Sequence, residues 1–439
     1  MLRSKFICGF SALALLMGAG AAQARSVPAD KAAIDAQLNT FYPHLDALYK
    51  DIHAHPELGF QETETAKKLA AEMRALGFTV TEHIAGTGIV AIYKNGPGPT
   101  VLVRTEMDAL PMEEKTGLSY ASHVIATWNG KQTPVDHACG HDIHMAAWVG
   151  TAQALVAMKS KWHGTLMFIG QPAEETTGGA RGMIADGVFT KFPKPDVGFA
   201  LHVGPAAYGE VTYRPGVNSS NSDSLEILFK GRGGHGSTPS ITIDPVIEAA
   251  RFTMDVQTVV SREKDPAAFG VITIGAIQSG NAGNIIPDTA LLRGTIRSYD
   301  GGVRAKLLDG IRRTAAAVAA MAGAPAPDVD LVVGGRAVIN DEAVTAKTAA
   351  VFKAAFGTKA SVQPTPGPQS EDYSEFIIAG VPSLFFGIGG YDPAKIAEAA
   401  AKGQVLAANH SPYFAPVPEP TIRNGVEAMT LAVLNAITP

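Results

Sequence analysis

The sequence predicts an α/β protein, with helices packed on a mostly parallel sheet and an α+β unit inserted into it. Three observations predict this. Short apolar segments alternate with helical periods as far as Val203, the pattern changes near Val217 to strict apolar–polar alternation, and helical periods return after Gly334. The chain of 439 residues is 46% hydrophobic and 18% charged, too apolar to be disordered as a whole. Its length suggests two to three domains on a prior of roughly 150 residues each.

Asp30 to Lys50 places Ile34, Leu38, Phe41, Leu45 and Leu48 at helical spacing and reads as the opening helix. A second helix, Glu62 to Leu76, is stopped by Gly77. Strands follow at Thr79–Ile84, Gly88–Tyr93 and Thr100–Arg104, the last two separated by the turn Asn95-Gly-Pro-Gly-Pro99. Asp142–Met158 is helical, Thr165–Ile169 a compact strand, Ala180–Asp186 a short helix and Val197–Val203 a buried strand. In the insert, Ser224–Lys230, Val271–Gln278 and Thr289–Arg297 alternate as half-buried antiparallel strands do. Helices at Pro245–Val260 and Val303–Met321 and a strand at Val329–Val333 complete a β-α-β-β-α-β order. The first domain resumes near Gly334 with helices at Glu342–Phe356 and Ile422–Ile437. The division expected is a leader over 1–24, one domain over 25–216 and 334–439, and the insert over 217–333.

The leader reads as an export signal. Arg3 and Lys5 precede an apolar stretch from Phe6 to Ala22, and Ala22-Gln-Ala24 fits a small-x-small cleavage pattern. Cleavage after Ala24 makes the expected location the periplasm or beyond. It also removes two positive charges and Cys8, which takes the formal charge from −5 to about −7 and leaves Cys139 as the lone cysteine. No basic run exceeds Arg312-Arg313 after the leader, which argues against nucleic acid and polybasic membrane binding.

The strongest chemical cluster is His137-Ala-Cys139-Gly-His141-Asp-Ile-His144. One thiol and three imidazoles in so short a stretch have the composition of a metal site. Cys139 and His141 can turn toward one ion from a tight loop, with Asp142 at a helix start and His144 one turn on, able to orient a ligand. Hydrogen-bonded loop histidines around an inert thiol are the bland alternative. Glu174 and Glu175 follow the strand Thr165–Ile169, where α/β folds place ligands, although adjacent acids are usually a solvated turn. Two such carboxylates can divide the work, one binding metal and one acting as a base. His202 ends another apolar strand, as a ligand or a satisfied core histidine, and His410 lies in a C-terminal loop. Arg104-Thr-Glu106-Met-Asp108 ends a strand with both acids on one side. Gly231-Arg-Gly-Gly-His235-Gly-Ser-Thr-Pro239 displays one histidine on a glycine-rich turn without phosphate-loop order, and Asn284 sits in a second turn as a possible substrate donor.

Taken in order, HAHPELGFQETET, RTEMDALP, HACGHDIHMA, QPAEETTGGARGM, GRGGHGSTP, GNAGNIIPDTALLRGTIR and SEDYSEF resemble the peptidase M20 family. The resemblance is to its amidohydrolase branch, subfamily D, which is N-acyl-amino-acid or hippurate hydrolase-like. It runs from about residue 40 to 435 and implies a phosphorylase/hydrolase-like zinc-exopeptidase domain carrying a ferredoxin-like dimerisation or lid domain. It further implies a homodimer and two divalent ions (zinc, manganese, cobalt or nickel) held by Cys139, His141, Glu175, His202 and His410. By the same resemblance Glu174 is the general base, and Asp108 and His144 orient the ligands. His235 reaches a substrate carbonyl across a dimer, and Asn284 helps hold the substrate carboxylate. In related branches an Asp bridges the metals where Cys139 stands. The position of Glu106 is often Asp in this branch and a metal-binding His in others, and Glu106 is left out of the ligand set.

The expected activity is hydrolysis of the amide bond of N-acyl or N-aroyl amino acids. Its rivals are a carboxypeptidase or dipeptidase of the same family, a thiol hydrolase with Cys139 as nucleophile and His141 or His137 as base, and an exported metal- or solute-binding protein without catalysis.

Overall fold

The computed structural model describes residues 26–438. The expected leader and its cleavage site lie outside the described residues. The main sheet has eight strands in the spatial order Thr79–Ile84, Gly88–Asn95, Gly164–Gln171, Thr100–Glu106, Val197–Ala207, Ser383–Tyr391, Val211–Tyr213 and Ala360–Val362. The four strands from Gly164–Gln171 to Ser383–Tyr391 run parallel, and antiparallel neighbours join on both sides. Parallel strands need helical crossovers that cover both faces, which is why these strands are apolar throughout rather than alternating.

Helix His141–Ala157 is buried on nearly every side, between the sheet and the helices Val27–Ala54 and Pro418–Ile437. Its sequence has no polar stripe, as expected of a helix enclosed by other elements. Ile34, Leu38, Leu45 and Ile52 of the first helix reach the same core at the spacing the sequence displays.

The central strand Ser383–Tyr391 escapes the sequence pattern. Its apolar residues are diluted by Gly387, Gly389 and Gly390, a composition that suggests a turn. Parallel pairing with Val197–Ala207 on one side and antiparallel pairing with Val211–Tyr213 on the other make it a strand. Tertiary hydrogen bonding overrides local propensity here.

A second sheet of four strands has the order Gly270–Gln278, Thr289–Ser298, Asn221–Lys230 and Asp328–Val333, every neighbour antiparallel. Leu225, Ile227 and Phe229 face a separate core with Phe252, Leu292, Ile296, Leu307 and Ile311. Ser224 and Glu226, on the alternate positions, are exposed, so period-2 patterning sets the faces. Helices Pro245–Asp255 and Gly301–Ala322 pack against these strands. Asp244 and Asp300 cap them by accepting the Val246 and Val303 N–H groups. No helix among the described residues is long and apolar enough to cross a membrane.

Candidate metal centre

The site forms at the C-terminal ends of the parallel strands. Glu106 and Gln171 each close a strand, and His202 sits within Val197–Ala207. Two tight turns complete it. Gly140, at φ +88°, separates Cys139 from His141, and any Cβ there would collide with Val203. Gly140→Ala is therefore expected to displace both neighbours and weaken ion binding by at least about tenfold, as changes supporting a metal ligand do. Metal retained after dialysis against a graded chelator series measures this. The other turn carries Ala173 at φ +48°, directly before Glu174 and Glu175. Asp108 fixes it by accepting the Glu175 N–H at 2.9 Å.

Hydrogen bonds assign the imidazole protons. His141 donates from Nδ1 to the Asp108 carbonyl at 2.7 Å, which leaves Nε2 free and fully buried without a partner. His202 donates from Nδ1 to the Val203 carbonyl at 2.8 Å, and its Nε2 stands 3.4 Å from Cys139 Sγ. Both rings thus present a lone pair to the same space, the arrangement that outer hydrogen bonds enforce on metal-binding histidines. His144 differs. Its Nε2 accepts the Val203 N–H at 2.8 Å, so the proton lies on Nδ1, which faces Glu106 Oε1 at 3.1 Å. With its Nε2 lone pair taken by that N–H, neutral His144 has none to give an ion.

Two donor groups result. Cys139, Glu175 and His410 lie together, with His410 Nε2 at 3.3 Å from Glu175 Oε1, and Glu106, His141 and His202 form the second, with His144 packed among them. His141 Nε2 also lies 3.9 Å from Glu174 and 4.0 Å from Glu175. Buried atoms that make no hydrogen bond concentrate here: His141 Nε2, His144 Nδ1, Glu175 Oε1, Asp108 Oδ1 and both oxygens of Glu106. Buried polar atoms need partners, and carboxylates beside a thiol and free ring nitrogens are a donor set that two divalent ions satisfy.

Electrostatics agree. Burial pushes the Cys139 thiol well above its ordinary pKa, and Glu175 and Glu174 add to the shift. That is the opposite of an activated nucleophile, so a thiolate there requires a cation beside it. Burial works to lower the pKa of His141, but Glu106 and Asp108 overcome it and raise it to about 10, so Nε2 faces a place that holds a cation, either a proton or a metal ion that displaces it. Burial takes His202 down to about 3, leaving it neutral and able to ligate. Glu174 is driven well above the carboxylate range by burial, then by Glu371, Glu175 and Asp372.

Behind the site lies a fully buried guanidinium. Arg104 pairs with Glu106 at 2.9 Å, Glu371 at 2.8 Å and Asp372 at 3.4 Å, and donates to Gln171 at 2.9 Å. Gln171 donates on to Asp372 at 2.6 Å. Glu174, Glu371 and Asp372 form one carboxylate cluster. The sequence motifs contain Arg104, Gln171, Glu371 and Asp372 but give them no role. The available signal was charge at the end of an apolar strand, which is costly unless paired.

The structure thus brings together Cys139, His141, Glu174, Glu175, His202 and His410, with Asp108 and His144 bonded around them, and it adds Glu106. His137, the base of the thiol alternative, is buried, but neither of its ring nitrogens has a hydrogen-bond partner. His235 and Asn284 do not join the donor groups. They sit on the adjacent short strand pairing and turn of the insert, both exposed, where His235 Nδ1 contacts the Ser237 hydroxyl at 2.7 Å and Gly236 donates to the Asn284 carbonyl at 2.8 Å.

An α/β core with buried metal-ligating clusters at its strand ends, and an inserted unit of sheet and helices, defines a metal-dependent hydrolase. The chain matches the model of peptidase family M20/M25/M40 over residues 102–435. It belongs to that family. It is 37% identical to the hippurate hydrolase of Campylobacter jejuni over 333 residues, covering 74% of this chain and 82% of that one. It is 35% identical to thermostable carboxypeptidase 1 of Saccharolobus solfataricus over 342 residues, 77% of this chain and 84% of the relative. Among solved structures, a Bacillus subtilis dinuclear metal-binding peptidase of the M20 family superposes with a TM-score of 0.73 at 28% identity, covering 91% of this chain and 100% of the other.

Proposed function

We propose that the protein is an exported amidohydrolase that releases free amino acids from N-acyl or N-aroyl amino acids. The observation that carries it is the Glu174–Glu175 turn, which sets two adjacent carboxylates against His141, with Glu175 also grouped with Cys139 and His410. The similarity to a hippurate hydrolase favours an aroyl or acyl group on the substrate nitrogen; the similarity to a carboxypeptidase keeps the dipeptide reading as the second choice.

In this proposal Cys139, His141, Glu175, His202 and His410 hold the two ions. When bound, these supply Lewis acidity toward the scissile carbonyl and a more acidic attacking water. Glu174 takes the proton of that water and passes it to the departing amine nitrogen, a task suited to a carboxyl whose proton affinity burial and the neighbouring carboxylates raise. His144 and Asp108 keep Glu106 and His141 in register. In a homodimer the exposed insert would bring His235 to the substrate carbonyl and Asn284 to the substrate carboxylate. The leader would deliver the mature chain to the periplasm.

Amino-acid release from benzoyl-, acetyl- and aryl-acyl amino acids, assayed beside dipeptides, tests the proposal. Release is expected from the acyl amino acids, to be abolished by a chelator and restored by Mn²⁺ or Zn²⁺. Cleavage confined to dipeptides would move the protein to the peptidases, and turnover indifferent to the chelator would sink the metal mechanism altogether.

A further inference from the structure

The upstream motif from His53 to Thr65 contributes none of the donors of the two groups above, yet it runs beneath both loops that present them. Glu62 is its most enclosed side chain, fully buried although it stands directly before the helix Thr63–Ala75. Its Oε1 accepts the Ala173 N–H at 2.7 Å and its Oε2 accepts the Thr87 hydroxyl at 2.6 Å. Ala173 occupies the left-handed region that residues with a Cβ avoid, so its turn needs a hold from outside. Gly59 presses on the same residue: a Cβ there would sit 3.2 Å from Ala173 Cα and Cβ. The Glu57 carbonyl accepts the Ala109 N–H at 2.8 Å, next to Asp108, whose carboxylate receives the Glu175 N–H. Residues 57–62 therefore grip the acidic turn directly and again through the Asp108 loop.

We propose that Glu62 is a positioning residue for Glu174: through the Ala173 N–H it holds the left-handed turn that aims the general base into the metal centre. The inference rests on Glu174 being that base. An unsupported turn lets Glu174 swing by a fraction of its own length, and misplacement of a reacting group by 1 Å costs about 10²-fold in rate. Removal of Glu62 should therefore act on kcat and spare substrate binding and metal binding, because Glu175 is the one proposed ligand on this turn and its N–H stays anchored to the Asp108 carboxylate.

The test compares Glu62→Ala, Glu62→Gln and Glu174→Gln in the full metal-loaded protein, with kcat, KM, bound metal and thermal midpoint measured on the same preparations. The substrate is whichever acyl amino acid or dipeptide the wild type cleaves best. Glu62→Ala is expected to keep its metal and a KM within about twofold of wild type while kcat falls about 10²-fold. Glu62→Gln is expected to stay within about fivefold, since its amide oxygen still accepts the Ala173 N–H. Should the alanine variant not fold, Glu62→Asp, one methylene too short to reach, carries the same expected fall. A shortened variant with near wild-type kcat overturns the proposal, as does a fall that follows metal loss or a glutamine variant as slow as alanine. Full turnover in Glu174→Gln overturns the base assignment itself, and this outcome is distinct from the others.

Discussion

Glu174→Gln is expected to retain both ions and lose about 10²–10⁴-fold in kcat, the range general-base removal commonly produces. The substitution is isosteric and removes only the capacity to take a proton. Glu174 is buried in a cluster with Glu371 and Asp372, and His141 Nε2 lies 3.9 Å away. An amide can keep the contacts of that pocket while relieving like-charge repulsion, so folding and metal content should hold or improve. The measurement is metal content by elemental analysis together with kcat on the best substrate. Retained turnover would remove Glu174 from the mechanism, and retained ligand binding without any turnover in the wild type would return the protein to a binding role.

Arg104→Met carries the other large effect, this time on stability. The guanidinium is the cation shared by Glu106, Glu371 and Asp372, with no solvent contact at its side chain. Burial works against its charge, and Glu106, Glu371 and Asp372 together more than compensate. Methionine fills similar volume but leaves three buried carboxylates facing one another. Breaking a buried ion pair from one side costs on the order of 3–5 kcal/mol. A large fall in the urea midpoint is expected. An unchanged midpoint would mean that these carboxylates take up protons and need no guanidinium. Lysine should rescue poorly, because one ammonium cannot reproduce the forked contacts to Gln171 and Glu371.

Much of this was legible before the fold. The spacing of Cys139 and His141 about one glycine is a local property, and the glycine proves to be required by both its φ and the nearness of Val203. The insert's strands announced themselves by alternation because one of their faces is open to solvent. Strand Ser383–Tyr391 did not, because its neighbours rather than its own residues make it a strand. The sequence made His144 a residue that orients a ligand, and only the tertiary structure shows which group its Nε2 meets, the Val203 N–H.

The sequence by itself determined the family, the two kinds of sheet and the residue types of the metal centre. These depend on periodicity and on chemistry carried within short segments. The tertiary structure alone decided which atoms face one another: Glu106 among the histidines, Arg104 beneath the carboxylates, and Glu62 reaching Ala173 from 111 positions upstream. Such contacts are set by how strands are ordered in the sheet. Residues far apart along the chain meet at the strand ends, and no local pattern records which of them will share a buried charge.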